Sequence, residues 1–412
     1  MRKLLALLLI LAGGPSLNAR SLEGEIKRIL AKSPIVRAGF AGVVVADEKG
    51  RTVVSINSGH LFTPASNTKL FSTALALERL GPDKRFETRV ELRGKDLVLV
   101  GTGDANLSGR VLPYVPDSKP GPALAIIDDM ADQIAAHGVK SIQGDILGDD
   151  TAFVYEPYAT SWTIQDTVDG DGPPSSALVL NDNEALDPEA KDRSVGDPAQ
   201  FAAQALKDAL AKRGITVDGP ARALHRTAND PLGIAPTGEV LARHLSLPLI
   251  EDIRLTNKIS QNLHADLLLS DVAGSRTAGL QALSDFLSQI GIKPAEYRFY
   301  DGSGLSRSTL VSPDAVVALL RYMARSAHAE QWFATLPVAG VDGSLEHRLD
   351  TRRTKGRIRA KTGTLAHVSA LSGYAEGPHE KVRTFSIFIN NSVADAEERR
   401  ELIDRICAVL VK

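Results

Sequence analysis

The chain has 412 residues, enough for one large domain or two or three smaller ones. A formal net charge of −2 and 43% hydrophobic residues allow a real core and give no sign of a nucleic-acid or other polyanion binder. Cys407 is the only cysteine, so no intrachain disulfide can form and the core must hold the fold.

The first stretch, "MRKLLALLLILAGGPSLNAR", has two basic residues, an apolar run from Leu4 to Ala12, a Gly-Pro break and a small residue, Ala19. It reads as a secretory signal peptide over residues 1–19, so the mature protein is expected to be periplasmic or otherwise extracytoplasmic. The run is too short for a mature membrane span. No cysteine follows it to carry a lipid, and no other stretch approaches that length. No transmembrane anchor is therefore expected after cleavage.

Next, "SLEGEIKRILAK" has helical spacing, and "AGVVVADEKG" with "RTVVSINSG" reads as a hairpin. In "TPASNTKLFSTALALERLGPD", Leu70, Phe71, Ala74, Leu75 and Leu77 cover most of a helix surface, which predicts a buried helix ended by Gly81-Pro82. From 86 to 243 the texture changes. Short strands ("ETRVELRG", "DLVLVG", "SIQGDILGDD") alternate with the helix "ALAIIDDMADQIAAHG" and with loops rich in Gly, Pro and Asp. From 244 helical patterns return, "LARHLSLPLIEDIRLTNK" and "NLHADLLLSDVAG". The strands "RIRAKTGTL", "VSALSGYAE" and "RTFSIFINN" and the terminal helix "RRELIDRICAVLVK" close the chain. Cys407 in that last helix is expected to be a plain buried thiol. The pattern predicts one outer domain in two pieces, 20–85 and 244–412, around an inserted domain, 86–243.

Three short motifs can carry chemistry. Ser66 and Lys69 stand three apart at the start of the buried helix, so their side chains are neighbours. Backbone N–H groups at a helix N-terminus favour developing negative charge. A lysine in an apolar surround loses its charge easily, and a neutral amine beside a hydroxyl is a base beside a nucleophile. Ser260 and Asn262, between two helical patterns, offer a proton relay and a carboxamide for a substrate amide. Lys361, Thr362 and Gly363 lie on a strand. The lysine and threonine can meet a carboxylate, and the glycine lets a ligand approach the backbone. Taken singly, each motif also reads as an ordinary helix cap, turn or edge-strand lysine.

Together and in this order, Ser-x-x-Lys, Ser-x-Asn and Lys-Thr-Gly are the signatures of penicillin-recognising serine enzymes. The chain resembles the D-alanyl-D-alanine carboxypeptidase/endopeptidases of the class C low-molecular-mass penicillin-binding proteins, peptidase family S13. The blocks that carry this likeness are "TPASNTKLFSTALAL", "LVLVGTGDANLSG", "SSALVLNDN", "LTNKISQNLHADLLL", "YDGSGLSRSTLVSP", "LPVAGVDGSLEHRL" and "RAKTGTL". The resemblance implies an α/β fold, a transpeptidase/β-lactamase-like domain whose antiparallel sheet is flanked by helices, with a large inserted accessory domain. It implies Ser66 as nucleophile, Lys69 as base and Ser260 as proton relay. Asn262, Lys361, Thr362 and Gly363 would bind substrate, and the N–H groups of Ser66 and Thr364 would form an oxyanion hole. Asp150, in "GDDTAF", and Arg307, in "GSGLSRS", would flank a pocket for the third residue of a peptidoglycan stem peptide. β-Lactams would acylate Ser66 and inhibit. One departure stands out: Asn181-Asp182-Asn183 runs almost at once into the helix "GDPAQFAAQALKDALAKRGI", so the insertion is shortened relative to the family.

Other signals are weaker. "GTGDAN" lacks the third glycine of a dinucleotide loop, "DGDG" at 169–172 lacks the remaining ligands of a calcium loop, and the histidines show no metal spacing. No metal or cofactor is expected. The competing readings are a β-lactamase or esterase on the same fold and a non-catalytic peptidoglycan-binding or sensor protein.

Overall fold

The structure is a computed structural model and describes residues 21–412 other than 188, 191–192, 231–237, 378 and 380. The expected signal peptide therefore lies outside the described residues. No helix among them is long and apolar enough to cross a membrane.

In chain order, the helix α1 (Leu22–Lys32) leads into the hairpin β1 (Phe40–Ala46) and β2 (Thr52–Ile56). The buried helix α2 (Lys69–Leu80) follows, ending at Gly81, whose φ of 78° suits a glycine cap. Then come β3 (Glu87–Arg93), β4 (Asp96–Val100), α3 (Ala125–Ala136), β5 (Ile146–Val154), α4 (Pro198–Lys212), β6 (Ala221–Arg226) and β7 (Glu239–Leu245). The last third holds α5 (Leu249–Ile259), α6 (Asn262–Ala273), α7 (Arg276–Gln289), α8 (Pro313–Met323), β8 (Ile358–Leu365), β9 (Val368–Glu376), β10 (Val382–Asn390) and α9 (Ala396–Leu410).

Two five-stranded sheets result. The first, in order β8-β9-β10-β1-β2, is antiparallel throughout and is built from the two ends of the chain. Alternation along β9 and β10 splits its side chains between two cores. Leu371, Ala375, Phe385, Ile387 and Ile389 face α1 and α9, where Ile26, Leu402, Ile406 and Cys407 are buried. Ala370, Tyr374 and Phe388 face the other way, toward Phe71 of α2, Leu268 of α6 and Leu320 of α8. The second sheet, in order β6-β5-β4-β3-β7, mixes parallel and antiparallel pairs. Its core packs Val90, Leu97, Leu99 and Ile146 against Ile127 and Met130 of α3 and Leu206 and Leu210 of α4.

One reading needs correcting. The run "LARHLSLPLIEDIRLTNK" is not one helix. Its first residues belong to β7, which pairs with β3 as far as Leu245 opposite Glu87. The helix begins only at Leu249, because Pro248 has no N–H to give to a preceding turn. The expected boundary at 243/244 thus falls inside a strand.

Candidate active site

The nucleophile segment is set by close backbone packing. Ser66 lies in a tight 3₁₀ turn, Ala65–Thr68, one turn ahead of α2 rather than on the helix itself. Ala65 takes a positive φ of 49° to enter that turn. Two glycines make room for it. A Cβ on Gly304 would sit 1.9 Å from the Ala65 carbonyl oxygen, and one on Gly363 would sit 2.7 Å from that of Pro64 and 3.2 Å from the Ser66 nitrogen. Gly363 was expected to admit a ligand. In the structure it admits the nucleophile turn, which Asn67 ties to the same strand by donating to the Lys361 carbonyl at 3.0 Å.

Lys69, the first residue of α2, has no exposed surface. Its Nζ lies 2.9 Å from Ser66 Oγ, 2.7 Å from Asn262 Oδ1 and 2.9 Å from the Ser303 carbonyl oxygen. Burial pulls its pKa down to about 7, against the opposing pull of Asp301, Asp171 and Asp266. No carboxylate bonds to it. A neutral amine has two N–H donors and one lone pair. Those donors match Asn262 Oδ1 and Ser303 O, which leaves the lone pair for the Ser66 hydroxyl proton.

Lys361 is also fully buried, on β8. Its Nζ donates to Ser260 Oγ at 2.9 Å and to the Thr362 carbonyl at 3.1 Å. Its pKa is pushed well below the usual lysine value, first by burial and then by Lys69. Ser260 caps α5 in the left-handed region, φ 66° and ψ 39°, a strained setting for a non-glycine residue that turns the chain sharply into α6. Asn262 opens α6. Its Oδ1 accepts from Lys69 and its Nδ2 donates to the Asp171 carbonyl at 2.9 Å, so both ends of the amide are engaged within the protein. Thr362 Oγ1 donates to Ser344 Oγ at 2.7 Å. Thr364 receives a bond on its hydroxyl from Arg400 at 3.3 Å.

The structure thus brings Ser66, Lys69, Ser260, Asn262, Lys361, Thr362 and Gly363 to one place. Asp150 does not join them. It is 1% exposed on β5, where its carboxylate accepts from Ser176 at 2.8 Å and is held by His225 at 3.0 Å. A substrate ammonium would have to displace His225 to reach it. Arg307 is on the rim and part-exposed, but its guanidinium is paired with Asp166, with one bond of 2.8 Å to Asp166 Oδ1.

Several contributors carried no signal of their own in the motifs. They are Asn67, Ser303, Ser344 and Asp171. Asp171 comes from the "DGDG" stretch set aside as an incomplete calcium loop. Asp301 supports the site from below. Its carboxylate accepts from Trp162 Nε1 at 2.9 Å, Ser303 Oγ at 2.8 Å and the Gly304 and Ser306 nitrogens, which fixes the Ser303 carbonyl under Lys69. Among the described residues no group of three or more His, Cys, Asp or Glu is arranged to hold a metal.

A site built this way has known relatives. The sequence profile of the D-Ala-D-Ala carboxypeptidase 3 (S13) family matches residues 22–192 and 184–410. The chain belongs to this family. It is 32% identical to a D-alanyl-D-alanine carboxypeptidase of Actinomadura sp. (strain R39), with 92% of this chain and 83% of the relative aligned. It is 26% identical to the D-alanyl-D-alanine carboxypeptidase DacB of Haemophilus influenzae, over 85% of each chain. The crystal structure of penicillin binding protein 4 (dacB) from the same organism superposes with a TM-score of 0.77 at 22% identity, covering 93% of this chain and 97% of the other. The fold is therefore that of the S13 serine enzymes. The Actinomadura alignment runs over 472 residues, more than this chain's 412, so that relative carries segments absent here. The two profile matches overlap at residues 184–192.

Proposed function

We propose that the protein is a serine-type D-Ala-D-Ala carboxypeptidase/endopeptidase acting on peptidoglycan stem peptides through an acyl-enzyme at Ser66, and that β-lactams acylate the same serine. The observation that carries this reading is the buried, easily deprotonated Lys69 in hydrogen-bond contact with Ser66. A pure binding protein has no need of it.

Ser66 Oγ attacks the carbonyl carbon of the penultimate D-alanine as its proton passes to Lys69. The N–H groups of Ser66 and Thr364 receive the oxyanion. As the C–N bond breaks, the proton reaches the leaving amine by way of Ser260, which Lys361 holds in place. Water then adds to the acyl-enzyme, releasing the shortened peptide and restoring the Ser66 hydroxyl. The substrate's terminal carboxylate binds at Lys361 and Thr362. An anion there favours the ammonium form of Lys361, offsetting the desolvation that lowers its pKa in the free enzyme. Asn262 gives up its Asp171 contact if it bonds the substrate amide. The catalytic unit is 20–85 with 246–412, and the stretch from 86 through the end of β7 is an inserted domain shortened relative to the family. With a cell-wall substrate and the export signal read in residues 1–19, we place the enzyme outside the cytoplasmic membrane.

The test is covalent labelling with penicillin followed by peptide mapping. One label on Ser66, lost in Ser66→Ala, is expected. A label elsewhere, or persisting in Ser66→Ala, overturns the mechanism. Release of D-alanine from a D-Ala-D-Ala peptide without turnover of the penicillin adduct separates this enzyme from a β-lactamase.

A further inference from the structure

The stretch 160–172 of the inserted half lies along the loop 301–308 of the catalytic half. Ser306 Oγ donates to the Thr160 carbonyl at 2.7 Å, the Ser161 and Ser308 hydroxyls are bonded at 2.6 Å, and Arg307 pairs with Asp166. Between these ties, the Trp162 indole N–H donates to Asp301 Oδ2 at 2.9 Å.

Two contacts of this stretch end at the catalytic lysine. Neutral Lys69 needs two acceptors for its N–H groups, and it has Asn262 Oδ1 and Ser303 O. Asn262 presents its oxygen to Lys69 because its Nδ2 is taken by the Asp171 carbonyl. The Ser303 carbonyl is set by Asp301, which has no exposed surface. The other donors to that carboxylate, from Ser303, Gly304, Ser306 and Thr309, all belong to its own loop or the residue just after it. Trp162 is the donor that ties it to the inserted half. A substrate that takes the Asn262 amide releases the Asp171 contact, and the Trp162 contact persists.

Asp301 also acts on Lys69 by charge. Against the desolvation that lowers the Lys69 pKa, the carboxylates of Asp301, Asp171 and Asp266 pull the amine toward its ammonium form, and Lys361 is the cation that faces it. On the far side of Trp162, the Arg276 guanidinium lies 5.8 Å from the ring centre and is itself paired with Asp266. Every donor on Asp301 takes up part of its charge. Removing one leaves more of that charge to act on Lys69.

We infer that the inserted half completes the catalytic centre through Trp162, a positioning residue that holds Asp301 and, through it, the acceptor beneath Lys69. This rests on the serine peptidase reading above, in which Lys69 is the base.

The experiment follows penicillin acylation from pH 5.5 to 9 in the wild type, Trp162→Phe and Ser308→Ala. Rates are taken per chain that labels at saturation, so misfolded protein does not count. Trp162→Phe keeps a ring beside Arg276 and removes the N–H. Its midpoint should move up by about half a pH unit or more, which lowers the rate at pH 6 about threefold and leaves the rate at pH 9 within about twofold of wild type. Ser308→Ala cuts a tie at the exposed end of the same contact and should follow the wild-type curve. A second reading needs no variant. The chain has two tryptophans, and the indole N–H resonance of Trp162 in the wild type should titrate with the midpoint of acylation. A Trp162→Phe curve that superposes on the wild type or is lowered equally at every pH, an equal shift in Ser308→Ala, or an indole resonance that stays flat through the midpoint overturns the inference and leaves the peptidase reading standing. Absence of penicillin labelling in the wild type overturns the peptidase reading itself.

Discussion

Two regions of this molecule bury charge-bearing side chains and treat them in opposite ways. In the cleft, Lys69 and Lys361 are fully buried with hydroxyl, amide and carbonyl partners and no carboxylate bonded to either. Behind the cleft, where the inserted half meets α5 and α6, several buried groups are matched by opposite charge. Asp266 of α6 accepts from Arg276 at 2.6 Å and 2.9 Å and from Ser175 at 2.7 Å. His264 of α6 bridges Asp252 at 2.7 Å and Asp182 at 3.0 Å. Arg110 pairs with the same Asp182. Burial alone drives a lysine neutral, whereas burial beside a carboxylate keeps a cation charged. The pKa directions follow: Lys69 and Lys361 are lowered, and His264 is raised to about 9. Unpaired burial makes a base, and paired burial makes a joint.

The largest break in this comparison comes from restoring a permanent charge to the cleft. Lys69→Arg keeps the charge but cannot deprotonate, because a guanidinium stays protonated at any working pH. The amine lone pair that faces the Ser66 hydroxyl is then lost. Penicillin acylation should fall on the order of 10³-fold or more, comparable to losing a general base and a positioned hydrogen bond. In the wild type, the active form is the neutral amine, so acylation should rise with pH through about 7. Stopped-flow acylation across pH 5.5–9 checks both statements. Near-native acylation in Lys69→Arg would assign the base to Ser260 or Lys361.

The next break removes a partner from the joint. Asp266→Ala leaves the Arg276 guanidinium buried and uncompensated, and it frees Ser175 Oγ and the Gly302 N–H from their acceptor. Removing one member of a buried pair costs about 3–5 kcal/mol. Urea unfolding should show a loss of that order. Because Gly302 precedes the carbonyl under Lys69, residual folded protein should also acylate more slowly. A loss below about 1 kcal/mol would mean that solvent reaches the pair.

How much of this was legible in the sequence follows the same division. Ser66 and Lys69 are one helical turn apart, so local spacing was enough to pair them. The Ser260–Asn262 and Lys361–Gly363 motifs are equally short, and their order along the chain named the family. The supporting residues were opaque for a physical reason. Ser303 and Asp171 act through backbone carbonyls, which have no side-chain signature. Ser344 and Asn67 work by contacts across 18 and 294 residues of sequence. The burial of Asp150 was not legible either, because its partner His225 lies 75 positions away. The strand β7 was mistaken for helix because its apolar residues continue without a break into α5. A better signal lay in "NLHADLLL", where a histidine and an aspartate interrupt an otherwise apolar run. Both are buried, and both are joint residues.

The smallest expected effect sharpens the comparison through pH. His264 has a folded pKa of about 9 against an ordinary value of 6.5. Desolvation lowers it, and Asp252 and Asp182 raise it by more. A raised folded pKa means that its stabilisation is fully present below pH 6.5 and is lost as pH climbs through about 9. The gap in unfolding free energy between wild type and His264→Gln should therefore be widest near pH 6 and shrink by up to about 3 kcal/mol by pH 10. Lys69 runs the other way. Its folded pKa is lowered, so between about 7 and 10.5 the unfolded chain binds more protons, and this term alone makes stability rise with pH. Taking the difference between wild type and His264→Gln at each pH cancels the lysine's contribution and isolates the joint. A gap that stays constant from pH 6 to pH 10 would mean that His264 is neutral between its two aspartates, and the joint would then be held by hydrogen bonds rather than by charge.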